Sequence, residues 1–119
     1  MSGAEVRRVA LFAFGGDETC FLHVLLNALA FHGAGYEARV VLEGASVRLV
    51  PLLVEPGPLC GLFERCRAAG LVAGVCLACA KELGTDEAAL AQGLPLLDDM
   101  NGHAGMASFL SQDYRIVTF

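Results

Sequence analysis

Several residue types and patterns are scarce in this chain of 119 residues, and each scarcity excludes a class of protein. Tryptophan is absent, and Lys81 is the single lysine among eight basic residues. Because 13 acidic residues leave a net charge of −5, the chain would repel a phosphate backbone, and we expect no nucleic-acid partner. No uninterrupted apolar run reaches the roughly 18 residues of a membrane span, so we expect no membrane segment.

Nucleotide-binding signatures are missing as well. The segment FGGDE, residues 14–18, is rich in glycine but has neither the Gly-x-Gly-x-x-Gly spacing nor a Gly-Lys-Ser/Thr ending. We therefore expect no dinucleotide or nucleoside triphosphate, and no other cofactor is indicated. The backbone N–H groups of Gly15 and Gly16 could still hold a small anion, and Asp17 lies beside them as a candidate ligand-binding residue.

The composition predicts one small domain, residues 1–119, with an apolar surplus. Apolar residues make up 55% of the chain and charged residues 18%, which is more apolar than an average soluble domain. Because one small core cannot absorb all of this surface, we expect part of it to lie between subunits of a homo-oligomer. The apolar run of residues 6–14 fits a first strand better than a signal peptide, so we expect a cytoplasmic protein with five reduced cysteines.

Short apolar runs alternate with helical patterns along the chain. The alternation predicts a three-layer α/β/α sandwich around a mainly parallel five-stranded sheet. A short edge strand is also expected at Val47–Val50, because Pro51 excludes a central one. The five predicted strands are Val6–Phe14, Glu37–Leu42, Leu71–Val75, Leu94–Leu97 and Tyr114–Phe119.

Helices are predicted between these strands from apolar spacing and capping residues. The first helix follows Asp17 as its cap, and the second begins at Pro58. A third begins at Cys76, a fourth opens with a Thr85 hydroxyl cap, and a last one contains Met106. The sheet-facing stripes of the first two are expected to be Leu22, Leu25, Leu26 and Leu29, and Leu59, Leu62, Phe63 and Cys66.

Three loops at the carboxyl ends of the strands carry chemically capable side chains. Ligands of parallel sheets gather at this edge, so these loops are expected to converge. We take Cys76 and Cys79 as the candidate catalytic residues and Asp17, Asn101 and His103 as candidate ligand-binding residues. The three loops carry Asp17 and Cys20 after strand one, Cys76 and Cys79 after strand three, and Asp98, Asp99, Asn101 and His103 after strand four.

The segment GVCLACAKELG, residues 74–84, places Cys76 and Cys79 three residues apart at the start of a helix. The N–H groups of a helix start stabilise a thiolate, so Cys76 could act as a nucleophile with Cys79 as its resolving thiol. Both cysteines could instead be small buried side chains. Cys66 belongs to a core stripe, and Cys60 is left with a structural assignment.

A zinc site is not predicted from this spacing. One Cys-x-x-Cys pair supplies two ligands, whereas a structural zinc site has four. Cys20 and His103 could complete the set only if their loops fold inward. A thioredoxin-like site is also disfavoured, because the pair does not follow a first βαβ unit and has no tryptophan beside it.

The layout resembles the DsrE/DsrF-like family of small α/β proteins linked to sulfur handling. The resemblance covers nearly the whole chain and rests on four segments in order. They are RVALFAFGGDE, YEARVVLEGASVRLV, GVCLACAKELG and GHAGMASFLSQDYRIVTF. A second cysteine, Cys79, departs from the family pattern.

The resemblance implies a cytoplasmic subunit of a trimer or hexamer. It also implies that Cys76 holds a persulfide and passes sulfur from a donor protein to an acceptor protein. Two alternatives remain open from the residues alone. One is a non-catalytic oligomeric module that binds a small ligand or a partner and has structural cysteines. The other is a dithiol redox switch that forms a Cys76–Cys79 disulfide.

Overall fold

The computed structural model describes residues 6–119, and each predicted strand has its counterpart. The strands are β1 (Arg8–Ala13), β2 (Glu37–Leu42), β3 (Val72–Cys76), β4 (Leu96–Leu97) and β5 (Tyr114–Thr118). The α-helices are α1 (Glu18–Gly33), α2 (Pro58–Ala68), α3 (Leu77–Glu82), α4 (Asp86–Ala91) and α5 (Ala107–Ser111). A 3₁₀ helix covers Gly44–Val54.

The five strands form one sheet in the order β4-β3-β2-β1-β5, and every neighbouring pair is parallel. The predicted α/β architecture is therefore confirmed. A parallel sheet buried on both faces needs apolar residues in succession. In β1 this demand is met by Val9 to Ala13, all of which are buried.

The sheet separates two cores. The larger core packs α1, α2 and the 3₁₀ helix against one face, with Leu11, Phe21 and Phe63 among its members. The smaller core lies on the opposite face, where Phe109 of α5 makes edge-on ring contacts with Phe12 and Tyr114. Cys76 is part of the smaller core.

The predicted edge strand at Val47–Val50 is wrong, because this segment belongs to the 3₁₀ helix. The Ser46 hydroxyl accepts the Glu43 N–H at 3.1 Å and lies 2.6 Å from the Ala13 carbonyl oxygen, so the chain turns at once after β2. Val47, Val50 and Leu53 are fully buried at intervals of three residues. Three is the period of a 3₁₀ helix, which explains why these apolar residues pack inward together.

Two details of the predicted helices are also corrected. The inward stripe of α1 consists of Phe21, Val24, Leu25 and Ala28, whereas Leu26 is 42% exposed. Both sets have the same helical spacing and both are apolar, so spacing alone does not choose between them. Thr85 does stand at the start of α4, but its hydroxyl makes no capping bond. Its ψ of 7° departs from the extended backbone that aims a cap at the helix amides.

A bulge in β3 decides which face of the sheet Cys76 occupies. Val40 pairs with Val72, but the next residue, Val41, pairs with Gly74, so Ala73 is an extra residue. Side chains of a regular strand alternate between faces, and one extra residue reverses the order. As a result Val75 enters the larger core, and Cys76 points into the smaller core.

Glycine is required at position 74 for this arrangement. Gly74 has a φ of 154°, and a Cβ there would lie 2.5 Å from the carbonyl oxygen of Pro95. That carbonyl accepts the Val75 N–H at 2.9 Å, which brings the chain before β4 against β3. A larger residue would therefore push apart the strands that carry the carboxyl-end loops.

No single helix within residues 6–119 has both the length and the apolar composition to cross a membrane. The 3₁₀ helix and α2 reach that length and composition only when taken together, and they meet at 96°.

We expect Gly74→Ala to lower the free energy of unfolding by about 2–4 kcal/mol, because it combines backbone strain with a clash against backbone atoms. Gly61→Ala is the matched control, since a Cβ at this position in α2 has open space around it. The control should be neutral or raise stability by about 0.5–1 kcal/mol. Urea unfolding measures both variants. An unchanged unfolding midpoint for Gly74→Ala would contradict the assignment of the bulge.

Candidate thiol and imidazole site

Cys76 lies at the junction of β3 and α3, as predicted, and its side chain is 0% exposed. The sequence predicts that the N–H groups at the start of α3 contact the Cys76 sulfur, but that sulfur makes no capping hydrogen bond to the helix. Helix α3 has six residues, and the Ala78 N–H in its first turn donates to the Gly102 carbonyl at 2.9 Å. The N–H directed at the Cys76 sulfur belongs to Ala104, at 3.4 Å. The polar contact therefore comes from the loop after β4 and not from the helix.

That loop contains a tight turn at residues 100–103. Met100 and His103 exchange two backbone hydrogen bonds, of 2.8 and 2.9 Å. The two central residues have positive φ angles, 50° for Asn101 and 92° for Gly102. Asn-Gly is the preferred pair for such a two-residue turn, because both residues tolerate this backbone. The turn fixes the direction in which His103 leaves the loop.

Two further hydrogen bonds fix the position of the turn. One is the bond from the Ala78 N–H of α3 to the Gly102 carbonyl. The other joins the Gly105 N–H to Asp99 Oδ1 at 3.0 Å, which closes the loop on itself. Because both ends of the turn are tied, His103 is held over the cysteines rather than left in solvent.

The sulfur atoms of Cys76 and Cys79 both lie close to one nitrogen atom of His103. The Nδ1 of His103 lies 3.3 Å from the Cys76 sulfur and 3.6 Å from the Cys79 sulfur. The Cys79 sulfur also accepts the Gly44 N–H at 3.3 Å, which comes from the start of the 3₁₀ helix. The potential ligand atoms of Cys76, Cys79 and His103 all lie within 4.8 Å of one another. We call these three residues the dithiol–imidazole cluster.

The cluster opens to solvent on the Cys79 side. Cys79 and His103 are half-buried and line a cavity of about 390 Å³, whereas Cys76 is behind them. A molecule in the cavity would therefore meet Cys79 before Cys76. The full lining is Gly44, Ala78, Cys79, Glu82, Leu83 and His103.

Burial and charge shift two ionisable groups at the site. Desolvation raises the pKa of the Cys79 thiol, with a further upward effect from the neighbouring Cys76, and the Gly44 N–H opposes both. Desolvation also raises the pKa of Glu43, whose carboxyl is attracted to His103 and repelled by Asp99. A raised thiol pKa keeps Cys79 protonated at neutral pH, so its use as a nucleophile requires a base.

Among the predicted ligand-binding residues, His103 contacts the thiols, and the other two have different roles. Asp17 caps α1 by accepting the Cys20 N–H at 2.9 Å, and it lines a separate cavity of about 660 Å³ that also includes Arg48. Asn101 supplies the backbone of the turn, and its side chain is exposed. The contacts from Gly44 and Ala104 were not predicted, since backbone amides leave no residue signature.

The remaining cysteines are separate from the cluster within residues 6–119. Cys66 is fully buried in the larger core, as predicted, and burial raises its pKa to about 11. Cys20 is exposed in the first turn of α1, and Cys60 is half-buried in α2. The Cys20 thiol therefore does not join His103, and the inward fold of both loops that a four-ligand zinc set would require is not found.

Fold and site together define a parallel α/β protein with two cysteines and a histidine in contact at the carboxyl edge of its sheet. The chain is 33% identical over 97 residues to the uncharacterized protein MJ0733 of Methanocaldococcus jannaschii, a match that covers 81% of this chain and 77% of that protein. It is also 34% identical over 53 residues to an uncharacterized protein of Archaeoglobus fulgidus, covering 44% of this chain and 85% of the relative. The chain therefore belongs to the same family as MJ0733. No protein-family profile and no solved structure matches it.

We expect the alkylation rate of Cys79 to rise with pH through a midpoint above that of an ordinary thiol, because alkylation follows the thiolate fraction. Iodoacetamide labelling across a pH series, with chelator present and a peptide mass readout, measures this midpoint. Cys20, which is exposed, serves as the internal reference, whereas the fully buried Cys66 should stay unlabelled while the protein is folded. A Cys79 midpoint below that of a free thiol would contradict the raised pKa.

Proposed function

We propose that this chain is a cytoplasmic sulfur carrier of the DsrE/DsrF-like type, which holds sulfane sulfur as a persulfide on Cys76. The observation that carries the proposal is the contact of both thiols with one imidazole nitrogen, at 3.3 and 3.6 Å. The resemblance assigns the sulfur-carrying cysteine to the end of the third strand, which is the position of Cys76. A sulfurtransferase-type activity needs such a thiol together with a proton acceptor.

The first step takes place at Cys79, because this thiol lines the cavity. His103 accepts the thiol proton through Nδ1, and the Cys79 thiolate attacks the outer sulfur of a donor persulfide, R–S–SH. One S–S bond forms and one breaks, giving Cys79–S–SH and the donor thiolate R–S⁻. This exchange of sulfur between two thiolates needs no oxidant and no reductant.

The second step moves the sulfur inward. His103 first gives its proton to the departing donor thiolate and then accepts the Cys76 proton through Nδ1, which lies 3.3 Å from that sulfur. The Cys76 thiolate attacks the outer sulfur of Cys79–S–SH, so that Cys76–S–SH forms, and the Cys79 thiolate that leaves takes the proton back from His103. The Ala104 N–H, 3.4 Å from the Cys76 sulfur, is placed to stabilise the negative charge there. Because Cys76 is fully buried, its persulfide is shielded from water and from oxidants. Delivery to an acceptor thiol is the same pair of steps in reverse.

The proposal includes sulfur donor and acceptor proteins and a homo-oligomer, either a trimer or a hexamer. On α1, Leu26 is 42% exposed, and a subunit contact at this helix would cover it. The oligomer itself stays a prediction. A subunit docked near the cavity would also decide which donor reaches Cys79.

Persulfide loading tests the proposal. Metal-free, reduced protein is incubated with glutathione persulfide, and peptide masses locate each added sulfur atom. We expect the sulfur on Cys76 in the wild type, on Cys79 in Cys76→Ser, and on neither residue in Cys79→Ser. His103→Asn should slow loading by about 100-fold at neutral pH, a typical loss for a proton acceptor.

Cys66→Ser is the matched control and should load as the wild type does, because Cys66 lies in the larger core. The proposal fails if Cys76 stays unmodified and is alkylated no faster than Cys66. That result would favour the alternative of a binding module with structural cysteines. Loading of Cys76 at full rate in Cys79→Ser would overturn the order of the two steps.

A further inference from the structure

We propose that Cys76, Cys79 and His103 form a metal site that binds one zinc ion, with a fourth coordination position that faces the cavity. The Cys-x-x-Cys spacing supplies two ligands, Cys76 and Cys79, and the fold brings His103 beside them as a third. The inference rests on the positions of the three side chains and does not require that the protein carries sulfur.

The two sulfur–nitrogen distances match those around a tetrahedral zinc ion. Zinc binds thiolate sulfur at about 2.3 Å and imidazole nitrogen at about 2.0–2.1 Å, which places sulfur and nitrogen ligands about 3.5 Å apart and two sulfur ligands about 3.8 Å apart. The two sulfur–nitrogen distances here are 3.3 and 3.6 Å. All three ligand atoms lie within 4.8 Å of one another. Both sulfur–nitrogen distances are therefore within a few tenths of an ångström of those that the ion requires.

A metal ion would engage both sulfurs more evenly than a hydrogen bond does. In the neutral tautomer that carries its hydrogen on Nε2, the Nδ1 atom has one lone pair, which accepts one hydrogen from one thiol. Two sulfur atoms nevertheless lie within hydrogen-bond range of that nitrogen. An ion at the centre of the triangle would use the lone pair and both sulfurs at the same time.

Groups around the cluster are those expected of an outer coordination shell. The Cys76 sulfur accepts an N–H from Ala104 and the Cys79 sulfur accepts one from Gly44, so each thiolate would be oriented by the backbone. Two thiolates balance the charge of a divalent ion. The Glu43 carboxyl interacts electrostatically with His103, so its ionised form would favour a cation further.

The ligands stand on elements that are fixed before any ion binds. The bulge of β3 directs Cys76, the first turn of α3 carries Cys79, and the Asn-Gly turn holds His103. Three protein ligands with one open position are typical of zinc sites that bind water or substrate, whereas structural sites have four. The cavity of about 390 Å³ lies against Cys79 and His103, so the open position would be accessible to a small molecule.

Cobalt(II) binding to the reduced full-length chain tests the site, with zinc as competitor. We expect one cobalt ion per chain, a thiolate-to-cobalt charge-transfer band and the intense visible bands of tetrahedral coordination. Zinc should abolish this spectrum and raise the unfolding temperature. Loss of an outer-shell contact weakens metal binding by about 10–100-fold, so Cys79→Ser or His103→Asn should weaken it by at least about 100-fold.

Cysteine variants outside the cluster are the controls, and X-ray absorption identifies the atoms bound to the zinc ion. Cys66→Ser and Cys20→Ser should bind cobalt as the wild type does, because neither residue belongs to the cluster. If the cluster variants fail to fold, X-ray absorption of the zinc-loaded wild type should show two sulfur neighbours and one imidazole nitrogen. A weak octahedral cobalt spectrum, or a zinc ion without sulfur neighbours, would overturn the proposal.

The sulfur-carrier proposal and the zinc proposal are tested independently. Metal binding is measured without any sulfur donor, and persulfide loading is measured on metal-free protein. If both succeed, zinc should block persulfide loading, since an ion that holds both thiolates leaves no free nucleophile.

Discussion

The site depends on one irregularity in the backbone, the bulge in β3 opposite Val40 and Val41. In a regular strand Cys76 would share a face with Val72 and would be packed in the larger core. The extra residue, Ala73, reverses the alternation and sends Cys76 to the smaller core, where the loop after β4 can reach it. Gly74 makes the bulge possible, because any side chain there would collide with the Pro95 carbonyl. The bulge in β3 therefore determines that Cys76 lies within reach of His103.

The second requirement is a loop that carries a histidine to a fixed point. The Asn-Gly turn sets the direction of His103, and the hydrogen bond between Ala78 and Gly102 attaches the turn to α3. The result is a compact set of two sulfurs and one nitrogen at the edge where parallel sheets bind their ligands. The proposed sulfur transfer and the proposed zinc binding would use the same three atoms, and both need the thiolate forms. The two proposed uses therefore exclude each other at any one moment.

The sequence predicts the strands, their mainly parallel arrangement and the segment that contains Cys76 and Cys79, because apolar runs and glycine boundaries are local signals. It does not predict which apolar stripe of α1 faces the sheet, since Leu25 belongs to both candidate sets. The 3₁₀ helix was missed because Val47 and Val50 also fit a short strand, although the period of three extending to Leu53 is a readable signal. Contact between His103 and Cys76 joins residues 27 positions apart and depends on the bulge. The Asn-Gly pair was the one local sign of how His103 is directed.

The most direct measurement of the central claim is the imidazole NMR spectrum of the metal-free protein. His23 and His32 are exposed on α1 and act as internal references for His103. If the cluster forms as described, Cys76→Ala and Cys79→Ala each shift the Nδ1 resonance of His103 and leave the other two histidines unchanged. A His103 resonance that stays the same in both variants would show that the imidazole does not contact the thiols, and it would contradict the site.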